Sequence, residues 1–315
     1  MAPQPVPQSE RRRRAATRIA AAALGLVAAV AALDLVWPRL DRSQAPAALG
    51  SLADLAKPPT RPVTVLLIGS DAERPADASN GAAPPGPPNS DALLLLRVQP
   101  NGPLQVLQLP IEAAVRLPGQ QRPQSLGSLY RSGGVALVSD AVRELLSLPP
   151  GQPDRYVVIG RAGLRQLIDA LGELDLSPPR AMRYVDRRQQ LSIALDAGLQ
   201  RLDGRQVEHL VRFRDPNEAE DGRRQQQQVL LRGLVRELAQ PARLSQLAPL
   251  ARQLLAESQT NLSEGELLSL LVAGLAQPDG IDFGAVPLAP AQGPVAGLRE
   301  LAADTRVPAS WQSAP

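Results

Sequence analysis

The sequence has no cysteine, a single histidine and a single lysine among its 315 residues. The absence of cysteine excludes a disulfide framework, thiolate metal sites and cysteine nucleophiles. With His209 as the only histidine, neither a histidine metal site nor a histidine-based nucleophile relay is supported. Because Lys57 is the only lysine, a site for phosphate groups has to use arginine. The sequence also lacks a P-loop, a Gly-x-Gly-x-x-Gly motif and a Gly-x-Ser-x-Gly nucleophile elbow.

The first 37 residues have the pattern of a membrane anchor. Residues 1–18 contain five arginines, and an apolar run follows from Ile19 to Trp37, interrupted only by Asp34. About 20 apolar residues span a bilayer, and the positive-inside rule keeps the arginine-rich end in the cytoplasm. The pattern predicts a basic cytoplasmic tail at 1–18 and one transmembrane helix at 19–37 in the plasma membrane, with the remaining chain outside the cytoplasm. A cleaved signal peptide is the alternative, which the length of the apolar run disfavours.

The net charge of the chain comes from this N-terminal segment. Residues 1–36 hold five arginines against Glu10 and Asp34, a net +3, which equals the formal net charge of the whole chain. The rest of the chain is therefore neutral overall, and it contains no helix-turn-helix pattern or zinc-finger spacing. Duplex DNA requires a basic protein surface. The sequence therefore predicts no nucleic-acid partner.

The remaining residues have the alternating pattern of one layered α/β domain. Strands are predicted at Val63–Ile68, Ala92–Val98, Leu104–Leu109, Arg155–Ile159 and Gln189–Leu195. Helices are predicted at Val135–Leu148, Ala162–Leu171, Arg223–Leu238 and Leu267–Ala276, the last opened by a Ser263/Glu266 capping box. We expect a linker at 38–62, a main domain at 63–240, a helical part of the same domain at 241–301 and a loosely ordered tail at 302–315.

Two aspartates lie at the ends of neighbouring predicted strands. Asp71 follows the first strand and Asp91 precedes the second, so antiparallel pairing would bring both carboxylates to one edge of the sheet. Mg²⁺ is commonly held by one or two carboxylates, with substrate phosphates and water as further ligands. The alternative is that both are turn residues, because aspartate favours strand ends for local hydrogen-bonding reasons.

A group of arginines follows in the segment Val211-Arg212-Phe213-Arg214. Read as a strand, its period-2 alternation places both guanidinium groups on one face, about 7 Å apart. Arg223 follows at the start of the next helix. Planar guanidinium groups bind phosphate or pyrophosphate oxygens in bidentate fashion. The alternative is an ordinary strand with one solvated charged face.

Taken in order, these motifs resemble the LytR-CpsA-Psr family of cell-envelope proteins across roughly residues 60–240. The motifs that support the resemblance are Ile68-Gly69-Ser70-Asp71, Ser90-Asp91, Leu109-Pro110-Ile111-Glu112, Tyr130 with Gly133-Gly134, Arg155-Tyr156-Val157-Val158, Leu202-Asp203-Gly204, Val211-Arg212-Phe213-Arg214 and Gly222-Arg223 with Gln227-Gln228. The extended segment from Leu202 to Gln228 is the most specific part.

The resemblance implies a three-layer α/β/α sandwich with a mixed central sheet and a pocket for a polyprenyl (pyro)phosphate lipid. It implies transfer of a glycopolymer from that carrier to peptidoglycan or another envelope acceptor, assisted by Mg²⁺ or Mn²⁺. By the same resemblance, Asp71 and Asp91 match the metal-associated acids. The residues that match those binding pyrophosphate are Arg212, Arg214, Arg223 and Gln227. Asp71, Asp91, Arg212 and Arg214 are the expected catalytic residues.

The chain departs from the family pattern at positions that bear on catalysis. An arginine of the family is Ile111 here, a lysine is Ser125, and an asparagine is Gly127. Arg74, Arg116 and Arg131 are the candidates to replace the missing arginine in space. Two further hypotheses follow: a non-catalytic protein that binds lipid-linked precursors as scaffold or regulator, and a pyrophosphatase that uses water as acceptor. Transcriptional attenuation is disfavoured, since the domain lacks a basic footprint for DNA.

Overall fold

The centre of the fold is a mixed six-stranded sheet, seen in a computed structural model that describes residues 51–80, 86–187, 191–214, 219–290 and 298–302. The strand order is β11-β6-β1-β2-β3-β12. These strands are β1 (Val63–Ser70), β2 (Ser90–Val98), β3 (Gln105–Leu109), β6 (Arg155–Ile159), β11 (Ser258–Thr260) and β12 (Asp282–Ala285). The β1/β6 and β3/β12 pairs are parallel, and the other neighbours are antiparallel.

Three two-stranded ribbons accompany this sheet. They pair β4 (Ala114–Val115) with β5 (Gln124–Ser125), β7 (Leu174–Leu176) with β10 (Gln200–Leu202), and β8 (Met182–Asp186) with β9 (Leu191–Leu195), each antiparallel. Six α-helices complete the described elements. They are α1 (Leu129–Leu145), α2 (Arg161–Leu171), α3 (Gly204–Arg212), α4 (Ala219–Leu238), α5 (Leu244–Glu257) and α6 (Glu264–Leu275).

Helices cover both faces of the sheet because its central strands are apolar on both sides. Successive side chains of a strand point to opposite faces, so Val65 joins one apolar core while Leu66 and Ile68 join the other. Helices α2 to α6 pack in the first core and α1 packs in the second. The mixed α/β fold expected from the sequence is thus confirmed.

Helix α1 begins earlier than the predicted Val135 and contains a break. Gly133 and Gly134 have non-helical backbone angles inside it, and Gly134 has a φ of 61°, which favours glycine. The predicted helix corresponds to the segment after this break. The capping box of α6 is present, with Ser263 and Glu266 bonded to each other in both directions.

The C-terminal residues contribute directly to the central sheet. Strand β11 pairs with β6, and β12 pairs with β3, so both outer strands come from beyond residue 257. The predicted anchor at 19–37 and most of the predicted tail at 302–315 lie outside the described residues. In the part of the chain that is described, no helix has the length and apolar character needed to cross a membrane.

Candidate active site

Asp71 and Asp91 lie together at one edge of the central sheet. Strands β1 and β2 pair antiparallel up to Ser70 and Ser90, with a register shift beside Gly69. The Asp71 amide donates to the Asn89 carbonyl over 3.1 Å, and the Asn89 amide donates to Asp71 Oδ1 over 2.9 Å. The sequence prediction that the two aspartates share an edge therefore matches the geometry.

Burial raises the pKa of the Asp71 carboxyl, and the neighbouring charge of Asp91 raises it further. Hydrogen bonds from the Asn89 amide and the Asn80 side chain act in the opposite direction, as does the charge of Arg131. A negative charge on Asp71 in addition to that on Asp91 is thus disfavoured at this edge. Among the described residues, no three or more histidine, cysteine, aspartate or glutamate side chains are grouped so that they could hold a metal ion.

Arg214 and Arg223 reach the same edge from the other side. Arg214 Nη2 lies 3.4 Å from Asp91 Oδ1, with both side chains about half exposed. Arg223 is buried, and its Nη1 donates to the Asp91 backbone carbonyl over 3.1 Å. The predicted arginines and aspartates of this edge are therefore neighbours, joined through Asp91.

The strand predicted across Arg212 is wrong, because Arg212 is the last residue of helix α3. This helix has a complete Asp203/Gln206 capping box and buries Val207 and Leu210 at helical spacing. A period of 2 fits only the four residues from Val211 to Arg214 and does not account for that spacing. The backbone becomes extended at Phe213, so Arg212 and Arg214 do not form two parallel groups on one strand face.

Arg212 instead pairs with Glu208, one turn earlier on the same helix. Arg212 Nη1 lies 3.0 Å from Glu208 Oε1, and Glu208 is only 8% exposed. The Glu208 carboxylate also contacts Arg161 and Arg165 of helix α2. The role of Glu208, Arg161 and Arg165 is not evident from the sequence, because it depends on the packing of α2 against α3.

Gln227 is held by a glutamine of the central sheet. Gln108 on β3 donates from Nε2 to Gln227 Oε1 over 2.9 Å and to the Arg224 carbonyl over 3.1 Å. Gln228 donates to Gln108 Oε1 over 2.8 Å. Gln108 is 3% exposed. A polar residue within the apolar β3 pattern is the sequence signal that could have identified it.

The departures from the family pattern cluster beside Ser90. The amide of Gly127 donates to the Ile111 carbonyl over 2.8 Å, and Ser90 Oγ donates to the Gly127 carbonyl over 3.0 Å. A Cβ at position 127 would lie 2.8 Å from the Ser90 carbonyl and 3.0 Å from Ile111 Cβ. Larger side chains at this position are therefore excluded. Ser125 caps the short 3₁₀ turn Leu126–Ser128.

Two of the candidate replacement arginines differ in their surroundings. Arg131 donates to the Pro87 carbonyl over 2.9 Å and its charge lowers the pKa of Asp71. Arg116 pairs with Glu300. The structure thus favours Arg131 as a cation that lies near the aspartate pair.

A protein-family model matches most of the chain. The model of the LytR_cpsA_psr family matches residues 43–300. The chain belongs to this family. The matched segment includes both aspartates, the three arginines and Gln227, so all the site residues predicted from the sequence lie within the family's own domain.

Relatives within the LytR_cpsA_psr family include proteins named for cell-wall functions. A polyisoprenyl-teichoic acid--peptidoglycan teichoic acid transferase, TagU, of Enterococcus faecalis is 28% identical over 56% of this chain and 54% of its own. A protein of Corynebacterium glutamicum that is named for cell wall biosynthesis, LcpB, is 27% identical over 65% of this chain and 49% of its own. The chain thus spans about half the length of these two relatives.

Solved structures of the family share the fold. Bacillus subtilis TagV superimposes with a TM-score of 0.63 at 19% identity, covering 80% of this chain and 93% of TagV. A LytR-Csp2A-Psr enzyme of Actinomyces oris gives a TM-score of 0.59 at 18% identity, covering 80% and 91%. These similarities show that the family fold is retained at low sequence identity.

Proposed function

We propose that the chain is a membrane-anchored phosphotransferase that moves a glycopolymer from a polyprenyl-pyrophosphate carrier to peptidoglycan or another envelope acceptor. The observation that supports this most strongly is the meeting of Asp71 and Asp91 with Arg214 and Arg223 at one sheet edge. The names of the relatives, which include teichoic acid transferases, support the same class of reaction. The apolar run at 19–37 would anchor the domain on the outer side of the plasma membrane.

Asp71 and Asp91 would hold one divalent cation, Mg²⁺ or Mn²⁺. Two carboxylates suit Mg²⁺, which usually keeps water and substrate phosphates as its other ligands. The raised pKa of Asp71 fits this assignment, because a cation would offset the repulsion between the two aspartates. When bound, such an ion neutralises charge on phosphate oxygens during transfer.

The arginines would bind the pyrophosphate and stabilise charge on the leaving group. In the proposed reaction, an acceptor hydroxyl attacks the phosphorus next to the sugar and the bond to polyprenyl phosphate breaks. The hydroxyl proton would pass to one of the two aspartates, and polyprenyl phosphate leaves with the electron pair. Arg212, Arg214 and Arg223 would lower the barrier, because preorganised cations act where negative charge develops. Gln227 would orient the pyrophosphate group.

A second candidate function, binding of the lipid-linked precursor without transfer, is favoured by the surroundings of Ile111. This side chain packs in the second core, where the family arginine would be, and Gly127 closes the space beside it. The candidate site therefore lacks the arginine of the family pattern at this position. A pyrophosphatase would differ from the transferase only in using water as acceptor.

The test is release of polyprenyl phosphate by the full chain in detergent, given a polyprenyl-pyrophosphate-linked saccharide, Mg²⁺ and peptidoglycan fragments as acceptor. We expect release that stops with EDTA, and a loss of at least about 100-fold for Asp71→Ala or Arg214→Ala. Asp279→Ala is the matched control, since this exposed aspartate pairs with Arg236 outside the candidate site.

The outcomes separate the candidate functions. Tight binding of the saccharide without release would favour the binder over the transferase. Release of phosphate-linked saccharide without any acceptor would favour the pyrophosphatase. We call the sheet edge at Asp71 and Asp91 the aspartate edge. Full activity of both site variants would contradict its assignment as the active site.

A further inference from the structure

Five charged side chains form a network beside the aspartate edge, and we call it the Glu208 network. Its members are Glu73 in the loop after β1, Arg161 and Arg165 on α2, and Glu208 and Arg212 on α3. Arg161 Nη2 lies 3.1 Å from Glu73 Oε2, and Arg161 Nη1 lies 3.7 Å from Glu208 Oε1. Arg165 contacts both glutamates. The network thus connects three separate elements.

The network is mostly removed from solvent. Glu208 is 8% exposed, and Arg161 and Arg212 are each 18% exposed. Burial alone would raise the pKa of Glu208, but the hydrogen bond from Arg165 and the charges of all three arginines lower it. A buried carboxylate without such partners would be strongly unfavourable. The glutamate therefore requires this set of arginines.

The network is fixed to the loop that follows Asp71. The Arg161 amide donates to the Ala72 carbonyl and the Ala162 amide donates to the Glu73 carbonyl, each over 3.0 Å. A Cβ on Gly160 would lie 2.6 Å from the Glu73 carbonyl oxygen, so this close approach requires glycine. The start of α2 is therefore joined by backbone hydrogen bonds to the loop that follows Asp71.

The Glu208 network carries an excess of positive charge. Glu208 alone would neutralise Arg212, and Glu73 would add another negative charge near the aspartates. Arg161, Arg165 and Arg212 carry three positive charges against the two negative charges of Glu73 and Glu208, so the network has a net charge of +1 that attracts an anion. This net positive charge suits a pyrophosphate site that has Ile111 in place of the family arginine.

We propose that Glu208 is a positioning residue, which holds the Arg212 guanidinium at a fixed place relative to Asp71 for binding of a pyrophosphate group. Arg161 and Arg165 supply the countercharge that makes this possible. The inference rests on the proposed function, because it concerns the same pyrophosphate site. It goes beyond that function in assigning a role to side chains on α2 and to the buried glutamate.

The test is a double-mutant cycle on the full chain in detergent, with geranylgeranyl pyrophosphate as probe and its dissociation constant measured by calorimetry. We expect Glu208→Gln to weaken binding about tenfold, because a charge-assisted contact to Arg212 is lost. In the Arg212→Ala background the same change should matter less than about twofold, since the residue being positioned is absent.

A merely nearby glutamate would behave differently. Removing its negative charge would strengthen binding of an anion or leave it unchanged. Either result, or an equal loss in both backgrounds, overturns the positioning role. Glu237→Gln is the matched control, because Glu237 forms a similarly buried pair with Arg243 away from the site. This control should lower stability without changing affinity for the probe.

A second variant keeps the inference testable if Glu208→Gln does not fold. Glu73 is 43% exposed, so Glu73→Gln disturbs the same network with a smaller loss of folding free energy. We expect a loss of about threefold in affinity that again disappears in the Arg212→Ala background. An unchanged affinity would overturn the role of the network. If the wild-type chain itself does not bind the probe, the proposed function fails and the positioning role fails with it.

Discussion

Gln108 lies beneath the candidate site, and its hydrogen bonds determine how Gln227 faces a ligand. The Arg224 carbonyl can only accept, so Gln108 must direct its Nε2 toward it. The same nitrogen donates to Gln227 Oε1. The amide nitrogen of Gln227 is then the end directed away from Gln108, and it is the group that can donate to a phosphate oxygen.

We predict that Gln108→Leu lowers the free energy of unfolding by about 1–3 kcal/mol, because it leaves buried polar partners without hydrogen bonds. Urea unfolding followed by circular dichroism measures this change. Gln105→Leu is the matched control on the same strand, since Gln105 is equally buried. Within the described part of the chain, Gln105 Oε1 has no hydrogen-bond partner, so its loss should cost little. Equal effects of both variants would contradict the account of Gln108.

At the scale of elements, the start of α6 shows how one carboxylate joins a helix cap to the central sheet. Glu266 Oε2 accepts from the Ser263 amide over 3.0 Å and from Ser263 Oγ over 2.9 Å. Its other oxygen accepts from Arg155 Nε on β6 over 3.0 Å. The Ser263 amide, Arg155 and the Ser263 hydroxyl together lower the pKa of Glu266 to about 2.

We predict that the stabilising effect of Glu266 depends on pH. A lowered folded-state pKa means that the contribution is complete above the unfolded pKa of about 4.3 and is lost as the pH falls through about 2. Near pH 5, wild type should exceed Glu266→Gln by about 0.5–1 kcal/mol, since the pair is partly exposed. Urea unfolding of both proteins at several pH values tests this. A difference that stays constant down to pH 2 would contradict the prediction.

The strands and helices with long apolar patterns could be predicted from the sequence, and the end of α3 could not. Strand Arg155–Ile159 agrees with the prediction in both its bounds. The segment around Arg212 was ambiguous, because four residues fit a period of 2 while Val207 and Leu210 establish a period of 3.6 only over a longer window. The local pattern therefore pointed to Arg212 but predicted the wrong secondary structure for it.

At the scale of the whole molecule, the aspartate edge could be predicted from the sequence, but the side-chain contacts that hold the neighbouring site residues could not. Asp71 and Asp91 flank adjacent strands, so antiparallel pairing alone brings them together. Glu208 and Arg165 are 43 residues apart, and Gln108 and Gln227 are 119 apart. Contacts at such separations depend on how helices pack on the sheet, which local sequence patterns do not reveal.

The predicted anchor at 19–37 gives a further prediction for the whole chain. A full-length protein should remain in the membrane fraction after a carbonate wash, and a variant without residues 1–37 should not. An apolar segment of this length inserts in effect irreversibly, which explains the expected difference. Intact mass of the membrane-bound protein is the measurement that separates an anchor from a signal peptide. A mass that lacks the N-terminal residues would contradict the anchor.

The position of the outer strands has a consequence for how the chain is made. A ribosome releases the four inner strands within residues 63–159, but the strands that complete the two sides of the sheet are at 258–260 and 282–285. Until those residues are released, β3 and β6 each have one unpaired side, and unpaired strand edges pair readily with other chains. A nascent or truncated chain that ends before Ala285 is therefore exposed to aggregation, because the free edge of β3 is covered only when β12 has been added.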